Sequence, residues 1–259
     1  MVGMDHRVIG VLGASGGLGA STLTVALGVR AARRSGVTAC VDGQLWGGGL
    51  DVTACLEHLP GLRWSDLAGA SGELDGAALL RALPSQDGIA VLAADCPLGA
   101  AGLLPEGRNV AGPELAGRAV QALARLCAVT VVDLGREGCP PPGAALVDTC
   151  TDVVLMAGTS ARRLADGVAA ARRVTGVGRR QSVGLVLRTP RRDALEPEEV
   201  AMRLDLPLVA AMPDDPRVTA DADRARLPGS RQTSEPTRVA DRVLDWLALA
   251  DEAAAGVSA

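Results

Sequence analysis

Seven short runs in which apolar residues follow one another almost without interruption punctuate the chain: Arg7 to Gly13, Val37 to Asp42, Ile89 to Ala94, Ala128 to Asp133, Asp152 to Ala157, Ser182 to Leu187 and Pro207 to Met212. Apolar at nearly every position and too short for helices, they predict strands buried on both faces of a parallel sheet. Between them apolar residues recur at helical spacing over Ser21 to Arg34, Pro113 to Leu126, Ser160 to Val174, Glu196 to Leu204 and Pro236 to Leu249. The last helix has Ser234 as its expected N-cap and Pro236 in its first turn. Strand alternating with helix predicts a doubly wound α/β fold around a mostly parallel sheet of about seven strands. No internal repeat or long linker divides the chain, so residues 1–250 are read as one domain. Cys96 to Gly112, rich in Gly and Pro, reads as a surface loop, and residues 251–259 read as a frayed tail.

Composition changes this picture mainly through what is missing. The 259 residues contain no Phe and no Tyr, and all 26 basic residues are Arg. Catalytic lysines, Schiff bases and tyrosine acids are thereby excluded. Apolar residues make up 48% and aromatics 1%, so the core must be packed from Ala, Val and Leu. The six cysteines, at 40, 55, 96, 127, 139 and 150, form no CxxC pair and read as reduced structural thiols of a cytoplasmic protein. Met1 to Arg7 has no apolar signal region, and no apolar run approaches the ~20 residues of a membrane span, so a soluble, non-exported protein is expected.

The first strand runs into Gly13-Ala14-Ser15-Gly16-Gly17-Leu18-Gly19-Ala20-Ser21-Thr22 and then a helix. Amides exposed in a glycine turn at a helix start form an anion site. Three readings fit: a ligand-free tight turn, a dinucleotide site with Asp42 as the ribose-binding acid, and a P-loop. The glycine spacing also fits short-chain dehydrogenases, but that family's catalytic tyrosine and lysine are absent, which leaves at most a degenerate NAD(P)-binding protein.

Gly16-Gly17-Leu18-Gly19-Ala20-Ser21-Thr22 resembles the deviant Walker A loop of the MinD/ParA superfamily, with Ser15 and Ala20 where both lysines would stand. From Val8 onward the chain is most similar to the actinobacterial CpaE/TadZ-like septum-site proteins of the Ssd family. The resemblance runs through Val41-Asp42-Gly43-Gln44-Leu45-Trp46-Gly47-Gly48-Gly49-Leu50-Asp51 and Gly61-Leu62-Arg63-Trp64-Ser65-Asp66-Leu67-Ala68. It continues in Val131-Val132-Asp133-Leu134 at the Walker B position, and in Leu206 to Leu208 and Pro213 to Val218 near the C-terminus. It implies a SIMIBI-type P-loop domain, and the family's N-terminal receiver-like domain is not expected within these residues. By that resemblance Ser15, Gly16, Gly17, Leu18, Gly19, Ala20, Ser21, Thr22, Arg188, Pro213 and Asp214 would meet a nucleotide, Ser21 and Asp133 would support Mg²⁺, and Asp42 and Asp133 are the catalytic candidates.

The substitutions weaken this chemistry. Ala20 removes a charge-assisted contact worth roughly 1.5–3 kcal/mol, which lowers expected affinity about ten- to a hundred-fold. Turnover should suffer more, because the missing cations neutralise charge in the transition state. Gln44 stands where relatives carry a second Asp, and Arg188 lies near where many carry an adenine-reading Asn. Arg136, just past the Walker B strand, is a candidate source of positive charge. The expectation is a pseudo-ATPase or very weak ATPase that binds ATP and Mg weakly and forms a nucleotide-sensitive homodimer. Its role would be septum-site placement in cell division, or localisation of a pilus or secretion apparatus. An active ATPase that binds DNA nonspecifically is the alternative.

Nine arginines and one acid, Asp166, lie between Ser160 and Arg192, a local charge of +8 against −12 elsewhere. The Arg162 to Arg192 segment is either a solvated face or a nonspecific duplex-DNA surface. The terminal helix sets Val239, Val243, Trp246, Leu247 and Ala250 on one face but carries Asp241, Asp245, Asp251 and Glu252, so core packing is expected rather than membrane targeting.

Overall fold

A computed structural model describes residues 6–44, 49–94, 112–136, 143–176, 181–189 and 195–257. Among these residues eight strands form one sheet: β1 (Arg7–Gly13), β2 (Thr38–Asp42), β3 (Ser85–Gln86), β4 (Ile89–Leu92), β5 (Val129–Arg136), β6 (Asp152–Gly158), β7 (Ser182–Thr189) and β8 (Leu208–Pro213). The helices are α1 (Ala20–Ser35), α2 (Leu50–Thr53), α3 (Trp64–Leu67), α4 (Gly76–Ala82), α5 (Pro113–Ala124), α6 (Gly143–Leu146), α7 (Ala161–Val174), α8 (Pro197–Leu204), α9 (Pro216–Ala222) and α10 (Glu235–Val257). The sheet order is β3-β4-β2-β5-β1-β6-β7-β8, and every pair is parallel except β3 with β4.

The seven expected strands are present because β1, β2, β4 and β6 are buried at every residue and β5 at all but its last. The eighth, β3, is two exposed polar residues paired antiparallel to β4. Right-handed crossovers put α1, which carries the chain from β1 to β2, on one face, and α5 to α8, which return it toward β8, on the other. α10 completes the first layer by packing along α1 and β8. α1 approaches the sheet closely at Gly28, where a Cβ would lie 2.3 Å from the Cys40 Sγ.

α10 is a core element. Val239, Val243 and Leu247 are buried, and Trp246 packs against the core. Its acids face arginines: Asp241 accepts hydrogen bonds from Arg30 and Arg34, Asp245 from Arg34, and Asp251 from Arg7, which also pairs with Asp152. Ser234 precedes the helix but does not cap an amide with its hydroxyl, which bonds instead to the Arg231 carbonyl and the Thr237 hydroxyl. Asp215 accepts the Glu235 amide in its place. The helix continues past Leu249 to Val257, carried by alanines, the strongest helix formers, at 250 and 253–255. Among the described residues no helix is long and apolar enough to cross a membrane. Cys40, Cys55, Cys127 and Cys150 are buried free thiols, with burial pushing Cys40 and Cys150 up to about 12. Cys96, Cys139 and most of the expected Cys96 to Gly112 loop lie outside the described residues.

Candidate functional site

The chain reverses its direction of travel across the sheet at β1, and such a switch point opens a crevice at the carboxyl ends of the strands. The loop from Ala14 to Gly19 lies there. The Ala14 amide donates to the Met156 carbonyl at 2.8 Å, tying the loop to β6, and the Leu18 side chain is buried beneath it. Gly17 (φ 74°) and Gly19 (φ 92°) take left-handed conformations that L side chains rarely adopt. A Cβ at Gly17 would meet nothing within 4 Å, so the crown of the loop is open. α1 starts with no side-chain cap, so its first amides face the loop with the positive end of the helix dipole behind them. The Ser15 hydroxyl is buried and has no hydrogen-bond partner among the described residues.

Two carboxylates stand beside the loop because β2 and β5 pair with Asp42 opposite Asp133. Asp133 accepts a hydrogen bond from the Gly135 amide at 2.9 Å, and the Ser21 hydroxyl lies beside its carboxyl. Asp42 accepts the Gln44 amide at 2.9 Å, and the Gly43 amide bonds to the Asp133 carbonyl. Burial, followed by the neighbouring Asp133 charge, pushes Asp42 up to about 8. Burial raises Asp133 as well, against the pull of Ser21 and the Gly135 amide. Two desolvated acids facing each other make a site that favours an arriving cation. No group of three or more His, Cys, Asp or Glu among the described residues could hold a metal ion. A cation here would therefore draw on Ser21, Asp133 and oxygens brought by a ligand.

The segments after β2 fix this arrangement in a way their sequence did not disclose. The Trp64 indole donates to the Asp42 carbonyl at 2.8 Å. Arg63 donates through Nε to Asp51 at 3.0 Å, and Asp51 is 2% exposed. Arg63 and Trp64 are thus positioning residues for the end of β2, while Asp51 is a buried structural acid. Residues 45–48, which include Trp46, lie outside the described residues. Gln44 lies against Gly135, where a Cβ would come within 2.7 Å of its Cγ.

On the other side of the loop, Arg188 and Met212 come to Gly19: a Cβ there would lie 3.8 Å from Arg188 Nη1 and 3.4 Å from Met212 Cε. Arg188 donates through Nε and Nη2 to Asp214, at 2.9 and 2.6 Å. Pro213 ends β8, paired with Thr189 at the end of β7. Asp215 caps α9 by accepting the Arg217 amide, and the Arg217 side chain holds its carboxyl down at about 2. A cavity of about 260 Å³ opens beside Thr22, walled by Val52, Val218, Leu227 and Asp221. The expected loop, acid pair and base-side residues therefore converge on one crevice. The expected arginine surface is less uniform: Arg162, Arg172 and Arg173 are exposed on α7, but Arg163 folds against Gly158 and Arg188 is engaged at the loop. Arg179, Arg180, Arg191 and Arg192 lie outside the described residues.

The sheet order also separates the open readings of the glycine turn. In a dinucleotide-binding fold β1 and β2 are neighbours, whereas here β5 lies between them and sets Asp42 against Asp133.

No family model matches the chain. Uncharacterized proteins from two strains of Mycobacterium tuberculosis are 34% identical to it over 249 residues, covering 95% of this chain and 65% of theirs. Among solved structures, a ParA family ATPase from Chlorobium tepidum superposes with a TM-score of 0.75 at 16% identity, covering 92% of this chain and 97% of that one. The septum site-determining protein MinD of Pyrococcus horikoshii, solved with Mg-ADP, gives 0.72 at 18% identity, with 93% and 95% covered. MinD in the MinC:MinD cell division complex of Aquifex aeolicus gives 0.70 at 16%, with 92% and 96% covered. The chain thus has the α/β P-loop fold of the ParA and MinD ATPases.

Proposed function

We propose that the chain is a nucleotide-binding positioning scaffold of the MinD/ParA superfamily, of the CpaE/TadZ/Ssd kind, with little or no turnover. The observation that carries this is the retained phosphate-shaped loop, with the Ser21 hydroxyl beside Asp133 behind it, in a chain that has no lysine. The open glycine crown, the unpartnered Ser15 hydroxyl and the uncapped start of α1 fit a phosphate group. Backbone amides from Ser15 to Thr22 would hold the nucleotide phosphates, with Arg188, Pro213 and Asp214 on the base side. Ser21 and Asp133 would hold Mg²⁺, which supplies charge neutralisation on the phosphate oxygens when bound. Gln44 offers an amide where a carboxylate would accept a proton, so a bound nucleotide acts as a conformational signal rather than a substrate.

MinC, with which the Aquifex protein forms a complex, and Mg-ADP, bound to the Pyrococcus one, support a nucleotide-binding domain that engages cell-division proteins, and a nucleotide-sensitive homodimer belongs to the same proposal. Localisation of a pilus or secretion apparatus is the other positioning role consistent with the same device. The chain spans 65% of the length of its mycobacterial relatives, so the proposal concerns this domain's part in such a protein.

Calorimetric titration with ATP and Mg²⁺, run beside a steady-state phosphate-release assay, tests the proposal. Saturable binding with negligible release is expected. Turnover at ordinary ATPase rates that vanishes on Ser21→Ala or Asp133→Ala, or no binding of any adenine nucleotide, would overturn it. The exposed arginines of α7 favour a second reading, nonspecific duplex-DNA binding by an active ATPase, which would show as DNA affinity falling steeply with salt and reduced by Arg162→Ala/Arg172→Ala.

A further inference from the structure

We infer that Arg136 takes the place of the missing loop lysine and is the cation that faces the nucleotide's phosphates. The inference rests on the nucleotide-binding reading and assigns a role within that same site. Its basis is an irregularity in the sheet. Between Val11 and Leu12 the register of β1 against β5 shifts by one residue, so Asp133 sits opposite Val11 and Gly135 opposite Leu12, with Leu134 as the extra residue. Gly135 passes through the bulge with φ 78°. The strand then continues for one more residue, which brings Arg136 level with Gly13, where the loop begins. From there the guanidinium reaches the crown: a Cβ at Gly16 would lie 3.7 Å from Arg136 Nη1.

The charge there is uncompensated. Arg188, the other arginine at the loop, is held on two nitrogens by Asp214, whereas Arg136 is exposed and has no hydrogen bond or ion pair among the described residues. It stands with the Ser15 hydroxyl and the uncapped amino end of α1, so cation, donor and dipole all lack an acceptor. A group of that chemistry is completed by a di- or triphosphate, which guanidinium contacts in a forked geometry from outside the loop. In sequence the loop has lost its lysine; in space a cation has returned to it from β5.

The test is calorimetry on the full chain with ADP, AMP and pyrophosphate, for the wild type, Arg136→Ala, Arg136→Lys and the double variant Arg136→Ala/Ala20→Lys. Wild type should prefer ADP to AMP. Arg136→Ala should lose about ten-fold or more in ADP affinity while AMP changes little. Arg136→Lys should retain most of it, and Ala20→Lys should restore it in the Arg136→Ala background, an effect that a structural role would not produce. Thermal melts should be unchanged, since Arg136 is exposed. If wild type binds ADP and Arg136→Ala binds it equally well, the inference falls and the nucleotide reading stands. If pyrophosphate binds as tightly as ADP and depends on Arg136, the inference stands for a polyphosphate and the nucleotide reading falls. If wild type binds none of the three, both fall.

Discussion

The acid at the end of β2 gives a protonation equilibrium a measurable signature. In the native chain Asp42 holds its proton up to about 8. An unfolded aspartate releases it near ~4, so between those values the folded state binds more protons than the unfolded one, and stability falls as pH rises through that window. Urea denaturation from about pH 5 to about pH 8 should show a loss on the order of a few kcal/mol, and Asp42→Asn should flatten most of it. An unchanged slope in Asp42→Asn would place the titration elsewhere. Neither the pairing of Asp42 with Asp133 nor its consequence was visible in the sequence, which named both residues but not their register. Arg136 was likewise named without a reach, because the bulge that aims it depends on how β1 and β5 slide past each other.

Among the elements, legibility followed burial. The two-faced strands announce themselves as apolar runs, and α1, α5, α7 and α8 lie within a few residues of their expected bounds. The elements that escaped are short: β3, with two exposed polar residues, α2, α3 and α6, with four residues each, and α4 and α9, with seven each and started by the side chains of Asp75 and Asp215. α3 is set by Asp66 accepting the Arg63 amide, and α2 is joined to it by the buried Arg63–Asp51 pair. Arg63→Ala should therefore cost about 3–5 kcal/mol in chemical denaturation, because it strands a buried carboxylate, whereas Arg63→Ala/Asp51→Ala should cost less than the single variant. A double variant worse than Arg63→Ala alone would show that the pair is not what joins the two helices.

For the whole molecule, the question is what holds the C-terminal helix in place. α10 is clasped by ion pairs to α1 and β1; those to α1 are partly exposed, and each is worth about 1 kcal/mol or less. Val239, Ala240, Val243, Leu244 and Leu247 on its inner face are fully buried. Leu247→Ala should thus destabilise the protein by about 2–5 kcal/mol and Asp241→Ala by a fraction of that, with only the second effect shrinking in high salt. The reverse ranking in denaturation experiments would make the clasp electrostatic. The bond between the Trp64 indole and the Asp42 carbonyl has an optical consequence. With no tyrosine in the chain, near-ultraviolet absorption and emission come from three indoles, and one of them is tied to the strand that ends at the crevice. The protein therefore carries its own fluorophore at the site, and a blue-shifted emission band from a sequestered ring becomes a label-free report on whatever arrives beside Asp42.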